Sequence, residues 1–503
     1  MAGSRLSSLF WCLVAMATVP VHVHSVSYHY NRSPSNIAFI SVTTDDLESS
    51  LKFYTQVLGG MQAEEMSFRY HGDDLSWLMF GKEVETARGQ GQDPTLLGVP
   101  DISYNGTHEV RGEFVVFDNG LIQLIQFSPR GGAASVSGNT HFPAHEPRTS
   151  PAYIAAPHIC FWVHDDVDFN HYISQLEARA AELGFSKVKV NRPVEVHSEA
   201  ERKAVPEDQL GITFSTGDFA GLSFAYFKGP SGEQLELYRI KNQTRHYLGR
   251  DYCQRRAVST AFVTNHTINT WQTKAGVSVN FYVNELGAHL VQRPLQATNI
   301  RGDNVENMLF QKELLDAERQ RVQPEELGIA NISYTGHMRL DHRFSLFDNY
   351  VVETLLYTDG LTLGQPGFNP RLNHSSLGYV NDMYVAIMLD HDLHFLTYLD
   401  SLESSLAING FGHVKVNRSP GQSRKYVTLT NGGLSGMNYA MLSGPAGEHV
   451  ALVQFRGSSR DRLRRALLQY GSVSTAFPET NPWSTGRMDE FCQQYLGTGL
   501  LGK

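Results

Sequence analysis

The chain has 503 residues, of which 41% are hydrophobic and 18% are charged, so it is long enough to bury more than one core. Its formal net charge is −9 at pH 7, and no cluster of Lys and Arg interleaved with aromatic residues occurs, which argues against nucleic acid as a partner. Four cysteines in this length also exclude a small disulfide-framework protein.

Residues 1–25 have the pattern of a secretory signal peptide. Arg5 precedes the apolar run "LFWCLVAMATVPV", and the small or β-branched residues of "VHS" follow it. The run is shorter than the roughly 20 residues of a bilayer span, Pro20 interrupts it, and no later stretch reaches that length. We therefore expect a secreted or secretory-lumen protein without a transmembrane segment.

Glycosylation triplets fit the same route, although such triplets also arise by chance. They begin at Asn105, Asn242, Asn265, Asn331 and Asn373. Once Cys12 has left with the signal peptide, three cysteines remain, of which Cys253 and Cys492 could form one bridge.

The first structural unit covers about residues 36–130. "NIAFISV" is an extended run, Asp45 and Asp46 are good helix N-caps, and apolar residues at helical spacing then lead to Gly59. "GEFVVFD" and "LIQLIQF" flank the turn Asn119-Gly120, which predicts a β-hairpin. The unit therefore reads as β-α-β-β-β.

A second unit with the same order covers about residues 155–240. "HICFWV" is followed by the capping residues Asp165 and Asp166 and by a helical apolar pattern. "GLSFAYFK" and "EQLELYRI" flank the turn "GPSG" and predict a second hairpin. This unit also reads as β-α-β-β-β.

The remainder of the chain repeats these two units. "ISYNGTHEVRGEFVVFDN" at 102–119 returns as "ISYTGHMRLDHRFSLFDN" at 332–349, "VKVNR" at 188–192 returns at 414–418, and "GPSGE" at 229–233 returns as "GPAGE" at 444–448. We therefore predict a first domain over 33–250 and a duplicated second domain over 255–460. The C-terminal extension, 461–503, is either a partial third copy or a strand and helix that complete the second domain.

In these strand, helix and turn motifs, the sequence resembles the vicinal oxygen chelate (VOC) superfamily of glyoxalase-like and extradiol-dioxygenase-like proteins. The resemblance covers most of residues 36–455. It implies an α+β fold in which four βαβββ modules pair into two cupped, half-open, barrel-like VOC domains. It also implies a metal in the cup, held by residues of the first and last strands of each module.

On the family's ligand positions, the second module has His158 in its first strand and Glu236 in its last. The first module has Gln123 in its last strand, which could donate a carbonyl oxygen. Its first-strand position falls on Ile37, which cannot bind metal, and a bulge would be needed to bring Asn36 inward.

The second half is degenerate at the same positions. Tyr384 aligns with His158, Ala451 with Glu236, and Thr260 with Ile37, so Glu353 is the only good ligand there. We expect this cup to be metal-free and either to stabilise the pair of domains or to shape a second binding pocket.

The resemblance implies a secreted, divalent-metal-dependent isomerase, epimerase or lyase acting on a small molecule with vicinal oxygens. Ring-cleaving oxygenation is less favoured, because it usually needs iron held by two histidines. Zn, Mg, Mn, Co, Ni and Fe are not distinguished, and the oligomeric state is not fixed. The alternative is a non-catalytic secreted binding or matrix protein, in which His158 is only hydrogen-bonded, Glu236 is salt-bridged and Gln123 faces solvent.

Overall fold

A short strand, a helix and a set of antiparallel strands follow one another four times along the chain. The computed structural model describes residues 36–117, 120–130, 150–153, 156–163, 167–217, 219–240, 264–271, 275–290, 300–347, 350–359, 376–418 and 425–476. In the first module, the strands are β1 (Asn36–Thr43), β2 (Met61–Gln62), β3 (Phe68–Tyr70), β4 (His108–Phe117) and β5 (Gly120–Pro129). Its helices are α1 (Leu47–Lys52), continued by a π-helical turn over Phe53–Val57, and α2 (Asp73–Gln90).

The second module has the same order. Its strands are β6 (Pro157–Trp162), β7 (Ile212–Thr213), β8 (Leu222–Lys228) and β9 (Gln234–Ile240). Its helices are α3 (Phe169–Glu182) and α4 (Glu199–Ala204).

The third and fourth modules repeat this arrangement. The strands of the third are β10 (Thr264–Trp271), β11 (His289–Leu290), β12 (Met338–Leu346) and β13 (Val351–Asp359), and its helices are α5 (Ala275–Asn280), continued over Phe281–Glu285, and α6 (Asp303–Gln320). The fourth has β14 (Met383–Met388), β15 (Val427–Thr428), β16 (Asn438–Ser443) and β17 (His449–Gln454), with α7 (Phe395–Ile408) and the terminal α8 (Ser458–Ala476). Short 3₁₀ turns occur at Glu64–Met66, Pro94–Leu97, Glu207–Gln209 and Pro324–Leu327.

The helix starts follow local capping chemistry. The Asp46 side chain accepts a hydrogen bond from the Ser49 amide, so the predicted N-cap of α1 is confirmed. In α3 the cap is Asp168, which accepts from the His171 amide. The predicted caps Asp165 and Asp166 lie outside the described residues. None of the described helices combines the length and the apolar run that a bilayer span needs.

Two sheets organise these strands within one compact unit. Sheet 1 has the order β15-β16-β17-β14-β1-β5-β4-β2, with β3 also paired to β4, and sheet 2 has the order β11-β12-β13-β10-β6-β9-β8-β7. At the centre of each sheet, two first strands pair antiparallel, β1 with β14 and β6 with β10. The predicted α+β fold with paired βαβββ modules is therefore confirmed.

The pairing of modules differs from the sequence prediction, which joined consecutive modules into domains 33–250 and 255–460. Sheet 1 joins the first module to the fourth, and sheet 2 joins the second to the third. The first strand of each module has a similar sequence pattern, so the repeat does not show which of these four strands pair with each other. The pairing depends instead on tertiary contacts such as those of the long helices.

The long helices α2 and α6 were not predicted, and each crosses to the partner module of its sheet. Asn417 of the fourth module donates to the Leu78 carbonyl of α2 at 2.8 Å, and Asn191 of the second donates to the Met308 carbonyl of α6 at 2.6 Å. Both asparagines belong to the repeated "VKVNR" motif. In α2 the contact lies beside Phe80, whose φ of −124° and ψ of 19° interrupt the helix. The repeated motif therefore anchors these helices.

Candidate functional site

The inner face of sheet 2 lines an open pocket, and the space between its side chains is about 380 Å³ when the open solvent at its mouth is included. Its wall is mostly apolar, with four phenylalanines, several aliphatic side chains from the sheet, and Val305 and Leu309 from α6. The polar groups in this wall are Tyr226, Glu236, Tyr238, His342 and Glu353. A small apolar hollow with a few convergent polar groups is typical of a ligand site.

The two residues predicted from the second module contact each other beside this pocket, which Glu236 lines and His158 does not. His158 Nε2 lies 3.2 Å from Glu236 Oε2, and both residues are buried. The Tyr226 hydroxyl is also 3.2 Å from His158 Nε2. The parallel register of β6 and β9 places Cys160 opposite Glu236, so His158 lies two residues earlier on the same face of the strand. The metal-ligand role of the pair stays a prediction.

Cys160 belongs to the same cluster and was not identified from the sequence. Its thiol donates to Glu236 Oε2, and donor atoms of His158, Cys160 and Glu236 all lie within 4.8 Å of one another. The strand alternation in "PHICFWV" contained the signal, because residues 158 and 160 share one face. Burial, and then the nearby Glu236 carboxylate, raise the pKa of the thiol.

The third module adds a His–Glu pair to this cavity. Because β10 pairs with β6, β13 lies one strand beyond, and Glu353 enters the same cup as Glu236. His342 Nδ1 is hydrogen-bonded to Glu353 Oε1, while its Nε2 is buried without a hydrogen-bond partner among the described residues. The ring centroids of Phe219 and His342 are 5.5 Å apart. The sequence prediction placed Glu353 in a separate cup of the second half, as its only good ligand; in the structure Glu353 instead shares a cup with Glu236 of the second module.

Burial and neighbouring charge strongly perturb Glu236 and Tyr226. Burial raises the pKa of Glu236 well above its usual range, and the neighbouring Glu353 raises it further. The pKa of Tyr226 is raised by the same causes, burial first and then Glu236 and Glu353. A cation bound here would counteract both effects, since it favours the ionised form of a nearby carboxyl.

A family model described as the Glyoxalase/Bleomycin resistance protein/Dioxygenase superfamily matches residues 36–237. This part of the chain belongs to that superfamily. The VOC resemblance seen in the sequence is therefore confirmed. No curated protein matches the chain significantly.

Solved structures of VOC proteins are also similar to this chain. Glyoxalase I from Zea mays is 12% identical, with 86% of this chain and 95% of that chain covered and a TM-score of 0.38. A mutant of 4-hydroxymandelate synthase from Streptomyces coelicolor is 10% identical, with coverages of 86% and 98% and a TM-score of 0.24. A glyoxalase family protein from Bacillus cereus is 14% identical, with coverages of 41% and 95% and a TM-score of 0.21. At these values the activity must be argued from the site itself.

Gln123, the third predicted metal ligand, does not join the VOC cup of sheet 2. It lies on β5 of sheet 1, where its Oε1 accepts a hydrogen bond from the Tyr384 hydroxyl at 2.5 Å. The reason is the module pairing, because β1, the neighbour of β5, pairs with β14 and not with β6. Gln123 therefore cannot complete a site with His158 and Glu236.

The sheet 1 cup is filled by side chains. Gln123 stands opposite Ser41, so Phe39 is the residue that matches His158 by register, and not Ile37 as the sequence alignment had it. The pairing of β1 with β14 is irregular between Ile37 and Phe39, where β1 has one extra residue. The ring centroid of Phe39 lies 5.3 Å from that of Phe114 and 6.0 Å from that of Tyr384.

VOC proteins are commonly metal-dependent, and the residues of the sheet 2 cup fit a divalent ion. They offer an imidazole nitrogen, a thiol sulfur and a carboxylate oxygen, which are the three donor types of protein zinc and transition-metal sites. The converging donors are buried, and the second carboxyl, Glu353, increases the local negative charge.

Proposed function

We propose that this protein is a divalent-metal-dependent isomerase, epimerase or lyase that acts on a small molecule with vicinal oxygens in the cup of sheet 2. The observation that supports this most strongly is that Glu236, His342 and Glu353 line one largely apolar pocket, with His158 buried in contact with Glu236. The pocket thus brings together two carboxyls and one imidazole from two modules, with a second imidazole next to one of the carboxyls.

In this proposal His158 and Glu236 hold the ion. When bound, such an ion stabilises negative charge that develops on a substrate oxygen. The phenylalanines of the wall exclude water, which strengthens electrostatic interactions inside the cup. Because the cavity is mostly apolar, the expected substrate has an apolar body beyond its pair of oxygens.

His342 supplies the proton acceptor. Glu353 accepts from Nδ1 and so fixes the tautomer in which Nε2 carries a lone pair. Nε2 has no hydrogen-bond partner among the described residues, and His342 is part of the cavity wall, so Nε2 can take a proton from a carbon next to a polarised carbonyl. Isomerisation, epimerisation and elimination all begin with this step, and we therefore place them ahead of ring cleavage.

The predicted signal peptide would deliver this activity to the secretory pathway. Two of the glycosylation triplets differ in how accessible their asparagine is to a glycan. Asn105 is exposed, as a glycan site requires, whereas Asn265 is in β10 between β6 and β13 in the middle of sheet 2. We propose Asn105 as a glycosylated position and exclude Asn265.

Metal analysis of the purified chain tests the proposed function. We expect about one equivalent of a divalent metal, lost in His158→Ala and kept in Gln123→Ala, which changes the matching cup of sheet 1. If no bound metal depends on His158, the enzyme proposal fails. A non-catalytic secreted binding or matrix protein would then be the better account of the fold.

A further inference from the structure

The cysteine of the sheet 2 cup has no counterpart in the other three modules. Cys160 is opposite Glu236 in the parallel pair β6/β9, and the same register position is Ser41 opposite Gln123, Thr267 opposite Glu353, and Ala386 opposite Ala451. The residue at this register position is therefore serine, threonine or alanine elsewhere, so the repeated fold does not require cysteine there. Sulfur occurs in the one module that has an imidazole, His158, two residues earlier in its first strand and a carboxylate, Glu236, opposite in its last strand.

The three donor atoms are close enough to bind one ion. Metal–ligand bonds of about 2.0–2.3 Å in a tetrahedral site separate neighbouring donors by about 3.3–3.8 Å. The observed separation of His158 Nε2 and Glu236 Oε2 is 3.2 Å, and no two of the three donors are more than 4.8 Å apart. Cys160 is buried and is not in a disulfide, so its sulfur is available to an ion.

We propose that Cys160 is a thiolate ligand of the ion in this cup, and that the site therefore takes a thiophilic ion of the Zn²⁺ type in preference to Mg²⁺ or Mn²⁺. The inference rests on the proposed function and narrows the range of metal ions that the site is expected to bind. Thiolate is a soft donor that favours zinc and similar ions, whereas magnesium and manganese sites are built from oxygen. Three protein ligands leave one position for substrate, as in catalytic zinc sites.

The absorption spectrum of bound Co²⁺ distinguishes a site that includes Cys160 from one held by His158 and Glu236 without it. The reduced full-length chain is titrated with Co²⁺, and a thiolate-to-cobalt charge-transfer band in the near ultraviolet is followed. We expect one equivalent to produce the band. Cys160→Ser should abolish the band and weaken Co²⁺ binding by about tenfold or more, since even the residues that only orient a ligand contribute that much.

The double variant Cys253→Ser with Cys492→Ser is the matched control and should keep the band, because Cys160 is intact. A competition in the unmodified chain needs no variant: Zn²⁺ should displace Co²⁺, and a large excess of Mg²⁺ or Mn²⁺ should not. Stoichiometric Co²⁺ that depends on His158 but gives no band would overturn the role of Cys160 and leave the proposed function standing. Absence of any His158-dependent Co²⁺ binding would reject both.

Discussion

The ammonium group of Lys228 lies 2.9 Å from the Glu313 carboxylate, and this buried ion pair joins β8 of the second module to α6 of the third. In sheet 1, the matching helix position is Glu83, whose carboxylate is 3.5 Å from His449 Nε2. Both contacts connect a long helix to the sheet that it covers. The cross-module pairing of the fold therefore includes buried charge.

Removing one member of the Lys228–Glu313 pair should destabilise the fold strongly. Glu313→Leu leaves a buried ammonium without its carboxylate partner, and we expect a loss of about 3–5 kcal/mol in the free energy of unfolding. The double variant Lys228→Met, Glu313→Leu removes both charges and should recover most of that loss. Urea unfolding of the two variants measures the difference. Equal stabilities of the single and double variants would show that the pair does not act as a unit.

The fold should become less stable as the pH rises from about 5 to about 8. Burial raises the pKa of Glu233 to about 7 and that of Glu448 to about 7, although Tyr54 and Tyr282 donate hydrogen bonds to them. At pH values between the pKa that these carboxyls have in the unfolded chain and about 7, the folded state keeps both carboxyls protonated and the unfolded chain does not. The free energy of unfolding therefore falls as the pH rises through this window, by on the order of 2–3 kcal/mol per carboxyl.

Glutamine variants test the source of that pH dependence. Glu233→Gln and Glu448→Gln keep the shape of the protonated carboxyl without titrating, so each should flatten the change in stability between pH 5.5 and 8. Burial also raises the pKa of Glu83 to about 7. Glu83 should therefore account for part of the pH dependence of stability that remains in these variants. Unchanged pH profiles in both variants would contradict this assignment.

The sequence predicted the strands and hairpins of this protein because their signals are local. "GLSFAYFK", "GPSG" and "EQLELYRI" contain the alternation and the turn residues of β8 and β9, and Asp46 has the chemistry of a helix cap. His158 and Glu236 were selected as candidate metal ligands because each fell on a family ligand position.

The partners of His158 depend on contacts far apart in the chain. His342 lies in "RLDHRFSL", between two charged neighbours, and such a strand reads as solvent-exposed until β10 is placed beside β6. Gln123 was assigned to the same site as His158 because the sequence does not distinguish β6 from β14 as the neighbour of β1. Only Cys160 could have been identified from the local sequence, because it lies two residues after His158 and therefore on the same face of the strand.

The two asparagines of the "VKVNR" repeats should stabilise the protein by similar amounts. Asn191 and Asn417 each donate to a helix carbonyl of another module, and their loss leaves that buried carbonyl without its donor. We expect Asn191→Ala and Asn417→Ala to lower the free energy of unfolding by about 1–3 kcal/mol each. Thermal unfolding measures both. A negligible effect at either position would show that another group satisfies the carbonyl.

The sheet 1 cup should not tolerate an added methyl group at Gly112, the position that matches His342. A Cβ there would lie 2.2 Å from the ring of Phe68. Gly112→Ala is therefore expected to cost about 1–3 kcal/mol of stability through overpacking. Combining it with Phe68→Ala should relieve the clash, and a crystal structure of that double variant should show an opened cup. If Gly112→Ala is neutral, sheet 1 has free space and its cup is not filled.

Chelation should destabilise the metal-loaded protein more at pH 8 than at pH 6. Without a cation, burial and Glu353 hold the pKa of Glu236 well above its usual range, so the folded apo form gives up its proton reluctantly. Metal ligands bind in their deprotonated forms, so the stabilisation by a fixed free metal concentration increases with pH and is about 2.7 kcal/mol at one hundred times Kd. Thermal unfolding with and without EDTA at the two pH values measures this change. His158→Ala should show no effect of EDTA at either pH, whereas Gln123→Ala should respond like the unmodified chain; an EDTA effect that survives in His158→Ala would place the metal elsewhere.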